Sequence, residues 1–128
     1  MKRIALREIL VFLAVMLTAC TLEIPSAISA TAEKQAQGAP VKTWTLTETQ
    51  TGSLVAWFKQ HRSGWSPSYV SYAPRLQVRM KHANGKESYV NVLSPGLVVV
   101  VSAEGQFTQT FETQVVEQLV SIVGGNGG

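Results

Sequence analysis

The stretch Arg75 to Leu93, RLQVRMKHANGKESYVNVL, decides the fold. Its first arm, Arg75 to His82, puts Leu76, Val78 and Met80 on one side and Arg75, Gln77, Arg79 and Lys81 on the other, the period of two expected of a β-strand. The second arm, Lys86 to Leu93, alternates as well, with Val90 and Val92 on its apolar side. Between them Asn84-Gly85 signals a hairpin turn. A two-residue turn would set Met80 against Tyr89 and Val78 against Asn91, mixing polar with apolar. A three-residue loop, Ala83-Asn84-Gly85 with Gly85 left-handed in a bulge, pairs Val78 with Val90, Leu76 with Val92 and Lys81 with Glu87. A slip of one residue turns every side chain to the other face, so burial of one face selects the three-residue loop.

The rest of the order is read outward from this hairpin. Ser94-Pro95-Gly96 turns the chain, and Leu97 to Val101 is an unbroken run of branched apolar residues, expected as a central strand covered at least in part on both faces. If Leu97, Val99 and Val101 face the helices, Val98 and Val100 face the polar side, as an apolar patch that a partner or Trp65, Tyr69 and Tyr72 would cover. A helix is expected from about Thr108, with Phe111, Val115, Leu119 and Ile122 as its stripe. Upstream, Trp44 and Leu46 alternate with Thr43, Thr45 and Thr47, which predicts a strand. Leu54, Trp57, Phe58 and His61 fall at i, i+3, i+4 and i+7, which predicts a helix with Thr49 or Thr51 as its cap. Gly64 closes it, with Trp65 folding back. The order is β-α-β-β-β-α, an α+β domain expected as a small two-layer sandwich, an antiparallel sheet with helices on one face. No internal repeat is visible.

The start of the chain is different in kind. Lys2, Arg3 and Arg7 precede an uncharged apolar run from Ile9 to Leu17. A basic head, a short apolar run and small residues describe a secretory signal, and the run is about half the ~20 residues needed to span a bilayer. Leu17-Thr18-Ala19-Cys20 resembles the bacterial lipobox. The resemblance implies that the Cys20 thiol receives a diacylglyceryl group, that the chain is cut before it, and that the new amine is acylated, with palmitate a typical chain. Several acyl chains make a durable anchor, each buried CH₂ adding ~0.8 kcal/mol. Thr21, rather than Asp, after the cysteine implies the outer membrane, facing the periplasm, if the cell is Gram-negative. The expected organisation is a signal peptide over 1–19, a lipidated flexible tether over 20–40 with a reach of ~25 Å, one domain over 41–123 and a disordered Gly-rich tail over 124–128.

Composition narrows the function. Loss of residues 1–19 removes three basic residues and Glu8, leaving eight basic and seven acidic, so the net charge falls from +3 to +1. Nothing in that balance points to nucleic acid. Cys20 is the one cysteine, which excludes an internal disulfide, and there is no Asp. Catalysis needs a nucleophile with a base, tuned carboxylates or a metal. Glu48, Glu87, Glu104, Glu112 and Glu117 lie in no recognisable motif. His61 and His82 fall in different elements, the first as part of a packed helix end and the second beside a turn in solvent. No enzyme, metal or cofactor is therefore expected. Basic residues gather between Lys59 and Lys86, and the polar side of the hairpin carries Arg75, Arg79, Lys81 and Tyr89. Arg and Tyr are enriched where proteins bind proteins. These four, with Trp65, Tyr69 and Tyr72, are the expected partner-binding residues. The expected role is a non-catalytic, membrane-held module of the cell envelope that binds another envelope protein as an assembly factor, inhibitor or immunity-type protector. A structural subunit docking through Val98, Val100 and the sheet edge is the second reading, and a cell-wall hydrolase the third.

Overall fold

A computed structural model describes residues 21–35, 38–73 and 75–124. The signal segment 1–19, Cys20 and residues 125–128 lie outside the described residues. The described elements, in order, are β1 (Ala27–Lys34), β2 (Lys42–Thr45), α1 (Glu48–Gln60), β3 (Ser66–Pro67), β4 (Leu76–His82), β5 (Glu87–Leu93), β6 (Leu97–Ser102), β7 (Gly105–Thr110) and α2 (Thr113–Val123). The strands form one antiparallel sheet in the order β2-β1-β4-β5-β6-β7-β3. The fold is α+β, with more of the chain in strands than in helices.

The central hairpin has the register expected of it. Val78 lies opposite Val90, Leu76 opposite Val92 and Lys81 opposite Glu87. Ala83, Asn84 and Gly85 form the loop, Gly85 has φ +83°, and its N–H donates to the His82 carbonyl at 3.0 Å. Asn84 supports the turn from its side chain, which accepts from the Lys86 N–H at 2.9 Å. Leu76, Val78, Met80, Val90 and Val92 all point into one core, together with Leu54, Trp57 and Phe58 of α1 and Val116, Leu119 and Val123 of α2.

Four features of the structure correct the expected order. Within the expected tether, Ala27–Lys34 is a strand: β1 lies between β2 and β4, and Ala30 and Ala32 are buried opposite Met80 and Val78. Its Ser, Thr and Ala content hides the strand, yet small residues suit a position packed under α1. A second strand, β7, occupies residues expected to begin the last helix. It returns from β6 through Ala103-Glu104, Gly105 has φ +134°, and Thr108 and Thr110 are branched residues that fit a strand. The helix starts at Thr113 instead, and its buried stripe is Val116, Leu119 and Val123, with Val115 and Ile122 only half-buried. Third, Val98 and Val100 lie opposite Val92 and Val90, so they face the helices, while Leu97, Val99 and Val101 face away. Fourth, α1 is capped by Thr47, not Thr49 or Thr51. Thr47 accepts from the Gln50 N–H at 3.1 Å, and the Gln50 side chain accepts from the Thr47 N–H at 2.8 Å. This reciprocal pair satisfies two donors that would otherwise lack partners.

The helix closes earlier than expected: His61, with φ -121°, is its cap and its N–H donates to the Trp57 and Phe58 carbonyls, while Gly64, with φ +89°, turns the chain three residues later and lets Trp65 fold back to give its indole N–H to the His61 carbonyl at 2.7 Å. At the far end Gly124 caps α2 with φ +87°, its N–H donating to Val120 and Ser121 carbonyls. It therefore belongs to the helix rather than to the tail.

The segment before β1 forms a strap. The Leu22 N–H donates to the Arg62 carbonyl at 2.7 Å, Leu22 and Ile24 are buried, and Glu23 reaches Arg62 at 3.7 Å. Ser26 accepts at 3.3 Å from the ring of His82, whose other nitrogen meets Ser88 Oγ at 2.7 Å. His82 is thus buried rather than solvated, because the strap closes over it. The strap runs along the end of the sheet that carries the Ala83–Gly85 loop and the Ala103-Glu104 turn. We call this the lower end; the Ser94–Gly96 turn marks the upper end. Leu22→Ala is expected to cost about 2–5 kcal/mol, as for other buried leucines, measured by urea denaturation; an unchanged midpoint would mean that the strap does not belong to the core.

Candidate functional site

The side of the sheet facing away from the helices is divided in two. The chain leaves β3 at Pro67 beside β7 and enters β4 at Leu76, so it has to cross β7, β6 and β5. Gln106 lies on the outward side of β7, and its Nε2 donates to the Val70 carbonyl at 2.6 Å, which places the crossing on that side. Tyr72 is half-buried there, its hydroxyl 3.4 Å from Ser68 Oγ. Beneath this path Val99 is fully buried and Asn91 nearly so, although both point away from the helices. Asn91 is held by Gln77, whose amide N–H donates to its Oδ1 at 2.7 Å.

The other half, over β2, β1, β4 and the near edge of β5, is uncovered. Thr31, Glu33, Thr43, Gln77, Arg79 and Tyr89 surround a depression of about 190 Å³. Antiparallel pairing puts Thr31 opposite Arg79 and Glu33 opposite Gln77, and Tyr89 lies across from Arg79 on the other side. Arg79 and Lys81 are exposed, and among the described residues neither has a carboxylate within ion-pair distance. The Tyr89 hydroxyl donates to Glu87 at 3.0 Å. Arg75 sits above this group, next to a second depression shared with Glu33, Gln35, Ala73 and Gln77.

Of the residues expected to bind a partner, Arg75, Arg79, Lys81 and Tyr89 therefore share the uncovered half. The aromatic segment does not act as one unit. Trp65 is buried with Phe58 and Phe111, at ring distances of 6.0 and 5.7 Å, and is a core residue rather than a contact residue. Tyr72 is committed to the crossing segment. Tyr69 alone is fully open, 98% exposed. Thr31 and Glu33 are hidden in the sequence because their strand, β1, has the composition of a linker, and Thr43, although on an expected strand, reaches this face only through the pairing of β2 with β1; Glu33 also makes this face mixed in charge rather than basic throughout.

The groups that could do chemistry are dispersed. His61 stacks on Trp57 at 4.3 Å with Nδ1 2.8 Å from the Trp57 carbonyl, in keeping with a packed helix end. Glu48 is in the first turn of α1, Glu112 flanks α2, and Glu117 is exposed on it. Among the described residues no three His, Cys, Asp or Glu side chains gather as metal ligands. Comparison with models of known protein families, with curated proteins and with solved structures gives no match.

Exposure separates two aromatic roles. Trp65→Ala is expected to cost about 3–5 kcal/mol of stability, as for other large core truncations, whereas Tyr69→Ala should leave the denaturation midpoint where it was. Equal effects in urea titrations would contradict this placement.

Proposed function

We propose that the chain is an exported lipoprotein, anchored through Cys20, whose folded part is a non-catalytic module that binds another protein of the cell envelope. In this reading the helices and the sheet make a two-layer sandwich. The helix side is spent on the core, the crossing segment occupies half of the outer side, and the remainder is left for a partner. The observation that carries the reading is the uncovered half itself: two arginines, a lysine and a tyrosine stand around Gln77, Thr31, Thr43 and Glu33, and among the described residues no side chain from elsewhere in the fold fills the depression. Arg and Tyr give large contact area with fixed hydrogen-bonding geometry, and unpaired cations steer an acidic surface towards them. The lack of Asp and the dispersal of Glu and His favour binding over catalysis.

The second reading, a structural subunit, loses its apolar patch, because Val98 and Val100 belong to the core. It retains the edge strand β2, where another chain could add a strand.

The test is photo-crosslinking in intact cells with the reactive residue at Tyr89, and with Glu117 on α2 as the control. A single adduct at Tyr89 and none at Glu117 is expected. With that partner purified, Arg79→Glu combined with Lys81→Glu should weaken binding by about tenfold or more, each tenfold being ~1.4 kcal/mol, and raised salt should weaken the native complex. Full binding by the double variant at low salt would exclude this face.

A further inference from the structure

We propose that the lower end of the domain rests directly on the bilayer that holds the lipid of Cys20, with Tyr69 and Val70 seated among the headgroups. The inference rests on the lipidation reading above and adds to it an orientation.

The first argument is the missing slack. Leu22 is buried, and its N–H is bonded to Arg62. Cys20 is two residues earlier, and consecutive Cα atoms are ~3.8 Å apart, so its Cα lies within ~8 Å of that of Leu22. A diacylglyceryl group on its sulfur sits at headgroup depth. A domain fixed so close to it has no room to stand away from the surface. The strap is held at both ends, to Arg62 and to His82, and between them Glu23 and Pro25 line one depression with Asn84 and the Ala103-Glu104 turn, which puts the strap at the lower end.

The second argument is independent of the anchor. Among the described residues four large hydrophobic side chains are exposed: Ile28, Val41, Tyr69 and Val70. Three of them are at the lower end. Tyr69 and Val70 follow Ser68, whose N–H donates to Gln106 next to the Ala103-Glu104 turn. Ile28 is the extra residue of a bulge beside the Ala27–His82 pair, 65% exposed. The Gln106 bond to the Val70 carbonyl holds the tip of the loop in place. A tyrosine has an apolar ring and a wet hydroxyl, the combination enriched at membrane interfaces.

Charge at this end is mixed, with no excess of cations: Arg62, Lys81 and Lys86 against Glu23, Glu87, Glu104 and Glu48, which lies beside Ile28. Contact with neutral lipid is therefore sufficient. The strands would rise from the membrane, and the open half of the sheet would look sideways along it.

The lipidated full chain, purified from membranes and reconstituted in phosphatidylcholine vesicles, tests this. A fluorophore is placed at Tyr69→Cys or, at the upper end, at Ser94→Cys; the acylated Cys20 thiol does not compete for the label. Quenching by headgroup-level spin-labelled lipid should be about threefold or more stronger at position 69 than at 94. Weak and equal quenching at both, with mass spectrometry confirming lipid on Cys20, overturns the orientation and leaves the anchor standing. Absence of lipid on Cys20 overturns both.

Discussion

Everything in this fold depends on the parity of the β4–β5 pairing. With three residues in the loop, the two apolar sets of the hairpin coincide; with two, they would oppose polar residues. Once Val90 and Val92 face inward, the Leu93–Leu97 pair across Ser94–Gly96 forces Val98 and Val100 inward as well. On the other side, pairing of Val78 with Ala32 and Met80 with Ala30 brings β1 into the same core. The same parity sends Arg79, Gln77, Tyr89 and Glu33 outward. Core and open face are thus set by one backbone choice, made possible by a left-handed residue at Gly85.

That choice was legible because the alternation around it is strong and because glycine marks the turn. The facing of strand β6 is not legible, for the opposite reason. Five apolar residues in succession carry no alternation, so composition cannot tell which set faces the helices. Loop parity can: three residues from Ser94 to Gly96 keep Val92 and Val98 on one side. Strand β1 is hidden for a different reason. Ser, Thr and Ala suit a linker when seen alone, and its inward positions are alanines because α1 packs close above them. Only the neighbouring strands reveal that it belongs to the sheet. Of the open face, the hairpin residues are legible through its period and Glu33 is not legible without β1; the inward fold of Trp65 is not legible because an aromatic loop can turn either way.

The strap gives the N-terminal segment two physical tasks. Leu22 and Ile24 close the core where α1 meets the lower end of the sheet, and Ser26 meets the buried imidazole of His82. A free linker would leave those apolar side chains in water and the ring nitrogen in need of another partner, which burial makes costly. With the proposed anchor at Cys20, attachment and folding would use adjacent residues, and a pull on Leu22 would act on the core rather than on slack chain.

The division of the outer face follows from topology. A chain that ends its helix at one edge of the sheet and must begin a central strand has to cross several strands, and the crossing turns an otherwise exposed Val99 into a buried one. This covers the outer side of β6 and β7 without a further secondary element. Because the crossing descends from the upper end of β4 to the lower end of β7, its exposed tip lies at the end of the sheet where the strap begins. One segment thereby limits the open face and supplies the exposed Tyr69. The position of that tip is fixed by strand order and by the Gln106 bond, not by the composition of the loop.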